Sequence, residues 1–130
     1  MVMRNLSYDN RFTSELPQDP ITDDHARQVN DALWSFAQPT PVKNPQILAY
    51  SPDVATMLGL TTDDMQDLEL VQTLGGNAVL EGMTTYATRY GGHQFGNWAG
   101  QLGDGRAIYL GELMHEGKRF ELQLKGAGET

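Results

Sequence analysis

The chain has 130 residues, with 9 Lys and Arg against 17 Asp and Glu, a net charge of −8 and no cysteine. That length suits one ordinary domain, and the composition excludes disulfides, thiolate metal sites and a cysteine nucleophile. The scattered basic residues lack the footprint of a nucleic-acid binder, no apolar run approaches the roughly 20 residues of a membrane span, and the first residues carry no secretory core, so a cytoplasmic protein with neither nucleic acid nor membrane as partner is expected.

Pro17, Pro20, Pro39, Pro41 and Pro45 interrupt the first fifty residues, and each proline biases its predecessor towards extended backbone. Between them Ala26, Val29, Ala32, Leu33 and Phe36 fall near helical spacing and predict one helix within residues 23–36. Residues 1–50 therefore read as an extended N-terminal arm with one possible helix, too poor in apolar side chains to form its own core.

Ser51-Pro52-Asp53 is a helix start, with a capping hydroxyl, proline in the first turn and a carboxylate at the positive dipole end. Val54, Met57 and Leu58 are the expected buried side, and Gly59 can stop the helix in the left-handed conformation. A second helix is predicted from Thr61 or Thr62 to Gly75-Gly76, with Met65, Leu68, Val71 and Leu74 as its apolar stripe. Its leading carboxylates, Asp63 and Asp64, read as helix-start chemistry on a solvated face, with a metal site the alternative.

Ten of the fourteen glycines lie between Gly91 and Gly128. They alternate with Tyr, Phe, Trp, His and Leu rather than Ser, which predicts a packed loop and not a flexible linker. Tyr90, Phe95 and Trp98 are read as core or loop anchors, with stacking platforms the alternative, and His93 as a hydrogen-bonded structural residue, with a metal ligand or base the alternative. Gly103-Asp104-Gly105-Arg106 admits two readings. It is an ordinary Asp-Gly turn, or a concave anion site in which successive N–H groups and the Arg106 guanidinium face phosphate oxygens.

Residues 107–114 and 119–125 predict a β-hairpin around a turn at residues 115–118. Phe120, Leu122 and Leu124 face one way, and Glu121, Gln123 and Lys125 the other. Glu112 and Glu121 face each other as either an acid pair or two solvated positions. A lone two-stranded ribbon is marginal and needs further strands at its edges. The order of glycine turn, strand, return strand and lysine is the layout with which protein kinases cover ATP phosphates, although no full G-x-G-x-x-G is present.

The stretch YGGHQFGNWAGQLGDGR at residues 90–106, followed by ELQLKGAG at 121–128, resembles the selenoprotein O family. LSYDNRF at 6–12, PTPVKNPQILAYSP at 39–52 and GNAVLEGM at 76–83 extend the resemblance over nearly the whole chain. The family usually continues after LKGAG with a small or Pro-containing run, where this chain has Glu129 and Thr130.

The resemblance implies an α+β chain forming the N-terminal portion of a protein-kinase-like fold, with residues 51–130 an incomplete N-lobe holding the nucleotide loop. It implies ATP and Mg²⁺ as cofactors and transfer of AMP to Ser, Thr or Tyr hydroxyls of protein substrates. Gly103, Gly105 and Arg106 match the nucleotide-contacting loop, and Lys125 the phosphate-binding lysine. Family members are several times longer, and their catalytic Asp and metal ligands match nothing within these residues. No catalytic or metal residue is therefore assigned, and the chain is expected to be inactive without a C-terminal portion as partner. A non-catalytic interaction or regulatory fragment, and a kinase-type phosphotransferase, are the alternatives.

Overall fold

The computed structural model describes residues 2–23 and 25–129. Its centre is the hairpin of β6 (Ala107–His115) and β7 (Lys118–Lys125), closed by Glu116 and Gly117 at φ +47° and +74°. Two positive φ values match the right-handed twist of the strands. The ribbon does not stand alone. β7 lines one edge of β6, while β1 (Ser7–Tyr8) and β3 (Tyr86–Thr88) share the other edge end to end, and β2 (Trp34–Phe36) extends the sheet beyond β3. All five strands run antiparallel to their neighbours. Among the described residues nothing pairs with the outer edge of β7.

Leu122 and Leu124 turn towards the core as their alternation requires. Ile108, Leu110 and Leu113 of β6 are fully buried, and a cluster of Met3, Ala55, Leu60, Leu70 and Leu80 receives Leu122. Two short helices supply that layer. In α2 (Pro52–Met57) the Ser51 hydroxyl accepts the Val54 N–H at 3.3 Å, and Gly59 follows at φ +78°, so both ends match the sequence signals. The buried residue is Ala55, however, and Val54 and Met57 stay exposed, because a six-residue helix touches the core along one narrow line.

The second predicted helix is broken. Residues 63–66 form a 3₁₀ turn, and α3 (Leu68–Leu74) restarts after Asp67, whose carboxylate accepts the Leu70 N–H at 2.9 Å. The restart shifts the helical phase. Leu70 and Thr73 are buried while Leu68 is 71% exposed, so the predicted stripe is one face out of register.

Among the described residues of 23–36 the expected helix is absent. The arm's helix is instead α1 (Arg11–Glu15), and Trp34–Phe36 is a strand against β3. Apolar residues at helical spacing are overridden there by sheet pairing, which buries Trp34 against Leu16 and Tyr86. Residues 91–101 also depart from expectation. They form a second, two-stranded ribbon, β4 (Gly91–Gln94) and β5 (Asn97–Gln101), whose aromatics point to solvent. Among the described residues no helix is long and apolar enough to cross a membrane.

Candidate functional site

Register brings the predicted residues together. Lys125, the last residue of β7, pairs with Ala107, the first of β6, so the lysine and the loop at 103–106 share one end of the sheet. The loop is tightly bent: Gly103, Gly105 and Arg106 have φ of +96°, +65° and +57°. Asp104 stabilises the bend by accepting the Arg106 N–H on Oδ1 at 2.9 Å, while its backbone carbonyl accepts the Ala107 N–H at 3.3 Å.

The two cations cross the gap in opposite directions. Lys125 Nζ donates to the Gly105 carbonyl. Arg106 reaches the other way, donating from Nε to Gly128 O at 3.2 Å and from Nη2 to Gly126 O at 3.3 Å. The Gly126 N–H closes the clasp on Arg106 O at 2.9 Å. A Cβ at Gly105 would sit 3.0 Å from Lys125 Nζ, so glycine there answers both the left-handed backbone and the lysine. These bonds leave donors to spare, since an ammonium has three N–H groups and a guanidinium five. Both side chains are solvent-exposed.

Residues 126–128 are held from behind. Thr40 donates its N–H to Ala127 O at 2.7 Å, and a Cβ on Gly128 would come within 2.7 Å of Thr40 Cβ. A cavity of about 410 Å³ opens beside the loop, with Gly103 and Asp104 on its rim and Phe36, Arg27 and Arg89 in its walls. Arg106 and Lys125 lie outside its lining, and Arg27 is paired with buried Asp19. Burial pushes the Asp19 carboxyl up, but the Ile21 N–H, the Ser35 hydroxyl and Arg27 together hold it below its ordinary value.

The same sheet face carries a charged cluster that sequence reasoning underrated. A bulge between Tyr109 and Gly111 places Tyr109, Glu112, Glu121, Gln123 and Lys125 on one side. Gly111 has φ +127°, and a Cβ on it would meet Asn10 Oδ1 at 2.6 Å. Glu112 is not solvated: it is 5% exposed, accepts the Phe12 N–H at 2.7 Å and faces Arg119 at 3.4 Å. Glu121 lies directly opposite. Burial, and then the Glu112 charge, push the Glu121 carboxyl above its ordinary value. Phe12, Tyr86 and Tyr109 stack at 5.2 and 4.8 Å beside this cluster, docking the arm on the sheet. The hint in the sequence was LSYDNRF itself, whose Asp9, Asn10 and Phe12 all bind residues about a hundred positions on.

Among the described residues no three His, Cys, Asp or Glu gather as a metal site. His93 stands edge-on to Trp98, with 5.1 Å between centroids.

The sequence model of the family described as protein adenylyltransferase SelO matches residues 22–130. The chain belongs to the SelO family. A protein nucleotidyltransferase YdiU of Tolumonas auensis is 57% identical over 128 residues, covering 98% of this chain and 25% of its own length. Relatives of the same name from an Azoarcus species and Xanthomonas campestris pv. campestris are 57% and 55% identical, again over 98% of this chain and 25% of their own lengths. The SelO chain thus spans about a quarter of the curated relatives it matches.

Proposed function

We propose that this SelO chain contributes the polyphosphate clasp of an ATP-dependent protein adenylyltransferase with a protein-kinase-like fold, residues 51–130 belonging to its N-lobe, and that it works in the cytoplasm. The observation that carries the reading is the crossing of Arg106 and Lys125 over one glycine-bent gap. The spare N–H groups of both cations fit phosphate oxygens, and the open side of Gly103, where a Cβ would meet nothing within 4 Å, lets backbone approach them closely.

In the proposed reaction a protein Ser, Thr or Tyr hydroxyl attacks the α-phosphorus of ATP in line. The new O–P bond forms as the α–β bridging bond breaks, and pyrophosphate leaves. Lys125 holds the phosphate chain as a compact charge, and Arg106 offers its planar fork to phosphate oxygens. Both offset charge gathering on the departing oxygens. Mg²⁺, when bound, would add further neutralisation of the phosphates. Its ligands, and the base that takes the hydroxyl proton, are expected outside residues 1–130.

The test is a hybrid in which these 130 residues replace the matching quarter of the Tolumonas auensis relative. Incubated with a protein target, it should pass label from the α-phosphate of ATP and none from the γ-phosphate. Lys125→Ala should remove the transfer. Transfer of the γ label would instead mark a phosphotransferase, and α-labelling indifferent to Lys125 would detach the lysine from the chemistry.

A further inference from the structure

The ribbon β4–β5 leads directly into the 103–106 loop, yet belongs to a separate two-stranded sheet. Its base is tied down: Gln101 accepts the Val29 N–H at 2.8 Å and donates to Arg27 O at 3.2 Å, and Leu102 donates its N–H to Tyr90 O at 2.9 Å. Its tip is the reverse of what solvent favours. Phe95 and Gly96 form a two-residue turn at φ +50° and +80°, a geometry that selects Asn-Gly. An aromatic residue here is strained in backbone and 101% exposed in side chain. Trp98, in β5, is 64% exposed. Residues 90–103 contain no Asp, Glu, Lys or Arg, within a chain carrying 26 of them.

Phe95 buries nothing against its own chain, and Trp98 covers only Gly91 and stands edge-on to His93, so an uncharged aromatic tip of this kind is a liability if left in water. Its base is fixed and its tip presented, as for a contact made with something else. The curated relatives carry this quarter joined to about three times as much further chain. We infer that Phe95 and Trp98 form an intramolecular docking knob, seated in an apolar pocket of the remaining three-quarters of a family-length polypeptide. Docking there would fix the ribbon, and through Leu102 the phosphate loop that follows it. The inference does not depend on which group the enzyme transfers.

Hydroxyl-radical footprinting resolves this residue by residue, comparing the 130-residue chain with the hybrid carrying the rest of the Tolumonas auensis relative. Oxidation of Phe95 and Trp98 should fall about fivefold or more in the hybrid, while Trp34, buried in this chain, stays slow in both. Equal oxidation in the two proteins would overturn the proposal. So would protection in the 130-residue chain that disappears on dilution, which would make a second copy the occupant. A second measurement needs no hybrid: Phe95→Asn with Trp98→Thr should leave the urea midpoint of the 130-residue chain unchanged or higher. A clear fall would show that the two aromatics serve the chain's own packing, and the knob would be wrong.

Discussion

Replacing Arg106 separates a structural clamp from a ligand-binding residue. Arg106 sits at φ +57°, and an L-residue in the left-handed region costs about 1–2 kcal/mol. Its guanidinium makes two solvent-exposed hydrogen bonds to the carbonyls of Gly128 and Gly126, at 3.2 and 3.3 Å, worth about 0.5 kcal/mol each at such a site. Arg106→Gly releases the strain, loses both bonds, and adds roughly 0.5–1 kcal/mol of unfolded-chain entropy. The sum lies within about 1 kcal/mol of zero. Arg106→Ala keeps the strain and loses the bonds, so it should fall about 1 kcal/mol below wild type and should not exceed the glycine variant. Urea unfolding followed by tryptophan fluorescence measures all three. Both variants should also lose about fivefold in tripolyphosphate affinity, since a bond between two ionised groups is roughly twice as strong as each of these exposed carbonyl bonds, about 1 kcal/mol. A glycine variant 2 kcal/mol less stable than wild type, and below the alanine variant, would show that Arg106 is held there for the fold.

Glu121→Gln should stabilise the chain at neutral pH by about 0.2–1 kcal/mol, towards the lower end because the site is solvent-screened. With its carboxyl raised in the native state, Glu121 contributes most below its ordinary value near 4.3, and that contribution fades as pH rises through the native value. The variant's advantage should therefore vanish below about pH 4 in urea titrations. Asp19 has the opposite sign: its native value is depressed, so its contribution is present above its ordinary value near 3.9 and is lost on further acidification, a loss that Asp19→Asn should abolish. Leu70→Ala, at a side chain with no exposure, should cost about 2–5 kcal/mol in the same assay. Gly111→Ala should release the arm, seen as faster amide exchange at Phe12, because its Cβ would strike Asn10 Oδ1.

The parts legible in the sequence were those decided by near neighbours. The alternation of Phe120, Leu122 and Leu124, the Ser51 cap and the Gly59 stop are each set within a few residues. The meeting of Arg106 with Lys125 followed from hairpin register alone. What escaped was decided at long range. β2 is a strand because β3 pairs with it some fifty residues later, and Glu112 is buried because the arm from Asp9 to Phe12 crosses a hundred residues to cover it. The 91–101 ribbon was missed for a different reason: its turn carries Phe where local chemistry favours Asn. The docking knob proposed for Phe95, fully exposed at φ +50°, accounts for that departure.

Titration of the labelled chain with inorganic tripolyphosphate at low ionic strength, followed by amide NMR, tests the clasp most directly. The expected result is weak binding in the millimolar range, with shifts confined to residues 103–106 and 125–128 and lost in Lys125→Met. Shifts centred on Arg27 and Arg89, or an undiminished response in Lys125→Met, would contradict the assignment of Arg106 and Lys125 to one polyphosphate.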